Sequence, residues 1–193
     1  IGDLIHGKSG KIDIHYALLQ RGEGGMSPRL IKRVKEFADC EFNILDSPPG
    51  TACSAVEAVL ESELVILVAD PTPFGINDLK LSVNMFRTLG IEPVVIVNRA
   101  EYRDSSLKDY CDEAKLDIIG EIPDEREIAE IYSEGKLVTD ESAKYGDLFE
   151  EIALRIKDLL HEERKVNKDM SPVFESEKEV EKSVITRPDG GNK

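Results

Sequence analysis

The sequence predicts an α/β fold with a mainly parallel sheet, and three observations lead to that prediction. Strand-like apolar runs alternate with segments whose apolar residues recur at helical spacing. The run Leu64–Ala69 is unbroken and rich in β-branched residues, which is typical of a strand buried on both faces of a parallel sheet. Polar residues stand where the strand-like runs end. Parallel strands joined through helices imply right-handed crossovers.

The first helix is predicted over Ser27–Asp39. Ser27 can cap free backbone N–H groups, and Pro28 suits the first turn, where its missing donor costs nothing. The preceding Arg21–Gly25 is rich in glycine and predicts a flexible connector. The apolar residues of the helix share one face, which we expect to cover the sheet. They are Leu30, Ile31, Val34, Phe37 and Ala38.

The remaining elements follow from apolar spacing and from the residues that interrupt it. Phe42–Asp46 is predicted to be a short buried strand, because an apolar run there ends in a carboxylate and then breaks at two prolines and a glycine. Gly90 ends a helix. The other predicted strands are Leu64–Ala69, Pro93–Val97 and Asp117–Gly120, and the other helices are Ala52–Leu60, Ile76–Leu89, Ser105–Ala114, Asp124–Tyr132 and Tyr145–Arg164.

The N-terminal Gly2–Ser9 matches the phosphate-loop expression G-x-x-x-x-G-K-[ST], but we interpret the match as accidental. Such a loop works only between a buried strand and a helix, so that backbone N–H groups and the helix dipole converge on phosphate. Here only Ile1 precedes the motif, and Lys11–Leu19 alternates apolar and polar residues like a strand.

Composition limits the classes of function. The length of 193 residues and the 40% hydrophobic content suit one domain with a hydrophobic core. The net charge is −14. Clustered Lys and Arg are lacking, so we expect neither nucleic acid nor a membrane surface as partner. No apolar run is long enough to span a bilayer. We predict a domain over residues 1–165 and a disordered polar tail over 166–193, where hydrophobic residues are sparse.

The cysteines Cys40, Cys53 and Cys111 form no C-x-x-C pair and are odd in number. They therefore predict neither a disulfide framework nor a complete zinc or iron–sulfur ligand set, and a reducing cytoplasm fits best. Small apolar neighbours of Cys53 favour a buried, inert thiol over a reactive one.

The segment Asp46–Thr51 is the strongest candidate for chemistry. In open parallel sheets ligands bind beyond the carboxyl ends of the strands. Asp46 offers a hard oxygen for Mg²⁺, and Gly50 offers a free backbone N–H for a phosphate. The alternative is that Asp46 only ends a strand and that the following Ser-Pro-Pro-Gly is a turn.

Four motifs stand at successive strand ends, namely Asp46–Thr51, Asp70–Gly75, Val97–Arg99 and Ile122–Asp124. Together they resemble the motifs of the MinD/Mrp/ParA family of P-loop ATPases. The segment Gly24–Ile31 is similar to one in the branch of that family that carries an inserted ferredoxin-like [4Fe–4S] domain. The resemblance covers roughly residues 22–160. It implies a three-layer P-loop NTPase-type domain that here lacks its N-terminal strand or strands.

The resemblance also implies roles for individual residues. Asp46 would hold the Mg²⁺ shell or orient the attacking water, Gly50 would contact the γ-phosphate of ATP, and Thr51 would belong to the nucleotide-binding residues. Asn98 would read adenine, with Arg99 beside it. Pro123 and Asp124 would cover the other edge of the base. The alternative for Asn98 is an ordinary turn residue at a strand end.

Two features of the family are missing from these residues, namely its lysine-containing Walker A loop and its cysteine-rich insert. We therefore expect a fragment, because the chain also begins at Ile1 rather than at methionine. Any [4Fe–4S] cluster would come from a segment absent here. The resemblance implies an adenine nucleotide, a second copy of the chain and an iron–sulfur client protein as partners. The alternatives are a positioning ATPase of the MinD or ParA kind and a non-catalytic nucleotide-binding module.

Overall fold

The computed structural model describes residues 2–20, 27–100 and 105–162. The chain forms two compact units, with the boundary between Glu130 and Ile131. The predicted connector Arg21–Gly25 and the predicted tail 166–193 lie outside the described residues. The elements are β1 Gly2–Ser9, β2 Ile12–Leu19, α1 Ser27–Lys35, α2 Cys53–Val59, β3 Ile66–Ala69, α3 Pro73–Thr88, β4 Val94–Ala100, α4 Ser106–Ala114, β5 Ile118–Pro123, α5 Arg126–Ser133 and α6 Val138–Glu141, and residues 143–162 are also helical.

The central sheet has the order β3-β4-β5, and both strand pairs are parallel. The α/β fold class with a parallel sheet is therefore confirmed. β3 pairs from Ile66 opposite Val94 to Ala69 opposite Val97. Between these strands the chain crosses over through α3, and α4 makes the next crossover. Each strand consequently ends at the same edge of the sheet.

The core of the first unit lies between this sheet and the helices that connect its strands. Residues 94–97 of β4 are all buried, as expected for a strand with a neighbour on each side. Val83 of α3 is fully buried as well. The core consists of Ala69, Leu79, Val83, Val95, Val97, Leu107, Cys111 and Leu116.

The first two strands form an antiparallel hairpin, separate from the parallel sheet. A two-residue turn joins them, and its first residue, Gly10, has φ +58°, a value that costs glycine little. Gly2–Ser9 is thus a strand followed by a strand. This agrees with our interpretation that its match to the phosphate-loop expression is accidental.

The prediction of a buried strand at Phe42–Asp46 is wrong. No described strand pairs with this segment, and Ile44 is 98% exposed. A strand exists only through hydrogen bonds to a neighbour, so an apolar composition alone cannot form one. Leu45 and Phe42 are also exposed.

Two further expectations about packing need correction. β3 is an edge strand of the described sheet, and its Val68 is 66% exposed, so the strand is not covered on both faces. Helix α1 packs mainly against β2 and α2 instead of covering the parallel sheet. Its Lys35 donates hydrogen bonds from Nζ to the backbone oxygens of Glu57, at 3.1 Å, and Leu60. A lysine that donates to the last carbonyls of a helix stabilises its C-terminal end, as Lys35 does here for α2.

The second unit contains α6 and the helical residues 143–162. Tyr145 and Ile152 of this helix are buried. Gly146 lies close to α6, since a Cβ there would stand 3.3 Å from the backbone oxygen of Thr139. None of the helices in the described residues is long and apolar enough to cross a membrane.

Candidate functional site

The end of β4 brings two of the predicted site residues to the carboxyl edge of the sheet. Asn98 is half-buried, and Arg99 is exposed. Arg99 has φ +54°, in the left-handed region, and the pairing with β5 is irregular between Val97 and Ala100. A non-glycine residue in this conformation costs about 1–2 kcal/mol. Such local strain is found preferentially at functional sites, although it does not by itself assign a function.

The pairing then resumes with Ala100 opposite Pro123, the last residue of β5. Asn98 and Arg99 of one strand and Pro123 and Asp124 of the next therefore lie at neighbouring strand ends. Asp124 is exposed just beyond the strand. The structure thus brings together the four residues predicted to surround the adenine base.

Asp70 joins this edge from β3, and the sequence analysis did not select it as a site residue. Its Oδ2 lies 3.7 Å from Nη1 of Arg99. Both side chains are partly or largely open to solvent, so the ion pair contributes little to stability. The ion pair instead helps to position the two side chains, because it links the ends of two adjacent strands. Asp70 could have been found from the sequence, because it directly follows the strand-like run Leu64–Ala69.

The loop after Asp70 is tightly built. The Oγ1 of Thr72 accepts a hydrogen bond of 3.0 Å from the backbone N–H of Gly75, which caps α3. A Cβ on Gly75 would stand 2.3 Å from the backbone oxygen of Asp70, so only glycine fits there without a shift. This packing fixes the backbone that carries Asp70 to the sheet edge.

The other group of predicted site residues lies on a separate segment before α2. Asp46 and Thr51 are exposed, and Gly50 has φ +89°. Within the described residues, no hydrogen bond or ion pair links Asp46 to the edge formed by Asp70 and Arg99. Among the described residues, the predicted phosphate residues and the predicted adenine residues are therefore not joined by a hydrogen bond or an ion pair.

Metal binding by the predicted site depends on Asp46 alone. No group of three or more His, Cys, Asp or Glu residues in the described parts of the chain is placed to hold a metal ion. One carboxylate nevertheless fits Mg²⁺ chemistry, because this ion keeps several waters and takes its other oxygens from phosphates.

The expectation of a buried Cys53 is wrong, since the residue is exposed at the start of α2.

No family model matches the chain. The uncharacterized protein MJ0579 of Methanocaldococcus jannaschii is 30% identical over 151 residues, which are 74% of this chain and 51% of that protein. MJ0578 of the same organism is 21% identical over 145 residues, with 74% and 50% covered. An iron–sulfur cluster carrier protein of Aquifex aeolicus is 25% identical over 130 residues, or 56% of this chain and 36% of that protein. The chain spans about half the length of the first two relatives.

Solved structures decide the fold. The MinD cell division protein of Aquifex aeolicus matches with a TM-score of 0.57 and 20% identity, covering 69% of this chain and 60% of that one. The chain has a MinD-type fold. The Pyrococcus furiosus cell division ATPase MinD matches with a TM-score of 0.53 and 25% identity, covering 69% of this chain and 58% of that one. A chain of the Aquifex aeolicus MinC:MinD cell division protein complex also matches, at a TM-score of 0.57 and 21% identity, covering 68% of this chain and 57% of that one.

In this MinD-type fold, the strand-end residues lie at the carboxyl edge of one parallel sheet. In open α/β sheets, the crevice beyond the carboxyl ends of the strands is where ligands bind. Asp70, Asn98, Arg99 and Pro123 stand at that edge here. The structural and sequence matches together support the MinD/ParA-type P-loop family.

Proposed function

We propose that this chain is part of an ATP-binding protein of the MinD/Mrp type, and that Asn98, Arg99, Pro123 and Asp124 form its adenine site. The observation that carries the proposal is the register of β4 and β5, which pairs Ala100 with Pro123 and so puts these four residues at adjacent strand ends. A half-buried asparagine offers a donor and an acceptor together, which suits a purine edge.

Asp46 acts, in this proposal, as the carboxylate that holds Mg²⁺ or orients the attacking water. Gly50 and Thr51 follow it and contribute to phosphate binding. When bound, Mg²⁺ neutralises the charge that develops on the transferred phosphoryl group. Hydrolysis also needs a phosphate-cradling loop with a lysine, and Gly2–Ser9 is folded as a strand that cannot serve as one. The loop must therefore come from other residues of the whole protein.

We further propose that ATP turnover in the whole protein is linked to iron–sulfur clusters. The sequence match to an iron–sulfur cluster carrier protein supports this link. In this proposal the clusters are held outside these residues, because Cys40, Cys53 and Cys111 form no C-x-x-C pair. A MinD-like positioning ATPase is the second candidate, and the MinD structural matches favour it.

Two substitutions test the nucleotide site in the whole protein. Asn98→Ala should weaken ATP binding about ten- to hundredfold, the equivalent of about 1–3 kcal/mol, because the purine edge loses its hydrogen-bonding partner. It should also reduce discrimination against GTP. Asp46→Asn should abolish hydrolysis and leave nucleotide binding largely intact, because the amide lacks the negative oxygen that Mg²⁺ requires.

Nucleotide titration and phosphate release measure the two effects separately. Asn84→Ala and Asp112→Asn are matched controls, because both residues are exposed on helices and lie outside the proposed site. Full turnover by Asp46→Asn would remove Asp46 from the proposed chemistry. Iron and sulfide analysis of the anaerobically purified whole protein separates the first candidate function from the second, since only the first predicts clusters.

A further inference from the structure

We infer that His6 and His15 form a binding site for a divalent transition-metal cation on the N-terminal hairpin. The two residues lie directly opposite each other on β1 and β2. Opposite residues in antiparallel strands carry Cβ atoms about 4.5–5.5 Å apart, close enough for two side chains to share one ligand. This site is independent of the proposed nucleotide site.

The two imidazoles point the same ring atom at each other. Nδ1 of His6 lies 2.7 Å from Nδ1 of His15. At this distance one ring donates its Nδ1–H to the other. When the donating ring instead carries its proton on Nε2, two nitrogen lone pairs converge on one point, where a cation can accept both. Metal–nitrogen bonds of about 2.0–2.1 Å place two adjacent nitrogens roughly 2.9 Å apart at a right angle. The Nδ1 atoms of His6 and His15, now 2.7 Å apart, need to separate only slightly to reach that arrangement.

Phe37 holds both rings in position. Its ring is stacked on that of His15, with 5.1 Å between centroids and 5° between planes. It also meets the His6 ring edge to face, at 4.5 Å. Rings restrained in this way lose little freedom on binding a ligand, and such preorganisation raises affinity.

The surroundings indicate the class of cation. Imidazole nitrogen suits Zn²⁺, Cu²⁺ and Ni²⁺, and a right-angled pair suits the tetragonal preference of Cu²⁺ and Ni²⁺. Asp13, the nearest acidic residue on this face of the hairpin, is engaged at 3.1 Å by Lys8. His6 is exposed, so water can supply the remaining ligands. The site therefore binds through two nitrogens and holds the cation at the surface.

Titration of the full chain with Ni²⁺, followed by calorimetry, tests the inference. We expect one site in the unmodified chain. His6→Gln and His15→Gln should each weaken binding by at least about tenfold, the lower end of the loss seen when only an outer partner of a metal ligand is removed. His161→Gln is the matched control, because His161 is the third histidine of the chain and lies exposed in the helical residues 143–162.

Circular dichroism should show that every variant is folded, and glutamine retains much of the bulk of the exposed His6. Nuclear magnetic resonance of the imidazoles adds a direct measurement, since Ni²⁺ should broaden the signals of His6 and His15 before those of His161. The inference would be overturned by absence of binding at millimolar Ni²⁺. Unchanged affinity in both hairpin variants, or an equal loss in His161→Gln, would also overturn it.

Discussion

At the scale of single residues, the three cysteines occupy different environments. Cys111 is fully buried in the core, where loss of hydration raises the pKa of its thiol to about 11. Cys40 and Cys53 are exposed. Because the thiolate is the reactive form, burial protects Cys111 in two ways, by blocking access and by keeping the thiol protonated at neutral pH.

We predict that a thiol reagent at neutral pH will modify Cys40 and Cys53 quickly in the folded chain and Cys111 only after unfolding. Mass spectrometry of the labelled chain over time measures this, and denaturant should make all three positions equally reactive. Cys111→Ala should leave the fast phase unchanged. Fast modification of Cys111 in the folded chain would show that the core opens there.

At the scale of secondary-structure elements, Arg87 connects the ends of two helices. It lies in the last turn of α3 and pairs with Glu92, with 3.0 Å from its Nε to each carboxylate oxygen. It also donates to the backbone oxygen of Ala114, at 2.8 Å, at the end of α4. The Glu92 hydrogen bond raises the pKa of Arg87, which favours the charged guanidinium that arginine already carries in proteins.

Arg87→Met should lower the free energy of unfolding by about 1 kcal/mol, because methionine keeps the aliphatic stem but leaves the Ala114 carbonyl without its donor. Denaturation by urea, monitored by circular dichroism, measures the loss. Glu92→Gln is the control and should cost less, since it retains a hydrogen-bonding partner for Arg87. An equal loss in the two variants would show that the ion pair, and not the Ala114 contact, provides the stability.

The same scale shows how much of the fold could be predicted from the sequence. β4 was identified from Pro93–Val97 because a central strand is apolar throughout, and its residues are indeed buried. Phe42–Asp46 has a similar pattern but is not a strand, because pairing depends on residues elsewhere. The left-handed Arg99 and its ion pair with Asp70 could not be predicted, since residue type does not signal a bulge in a strand.

At the scale of the whole molecule, the residues of the proposed nucleotide site come from two segments, and no hydrogen bond or ion pair among the described residues joins them. The strand ends of β4 and β5 are adjacent, whereas Asp46 lies on the exposed segment before α2. Adenine recognition and phosphate chemistry therefore depend on different parts of the chain. Phosphoryl transfer requires both parts, together with donors that cradle the developing charge.

We accordingly predict that the 193-residue chain alone will not hydrolyse ATP appreciably. A phosphate-release assay with Mg²⁺ measures this, with the whole protein as the positive control. Lys8 lies in a strand of the hairpin and pairs with Asp13, so Lys8→Ala should change nothing. Mg²⁺-dependent turnover by the chain that is lost in Lys8→Ala would show that Gly2–Ser9 does act as a phosphate loop.

The exposed segment Phe42–Asp46 also affects how the isolated chain behaves in solution. Ile44 is almost fully open to solvent, and the outer edge of β3 has no partner strand among the described residues, with Val68 exposed on it. Exposed apolar residues and an open strand edge both favour β-pairing between molecules. The net charge of −14 opposes that association by repulsion, and salt weakens the repulsion. Aggregation of the isolated chain should therefore increase with ionic strength.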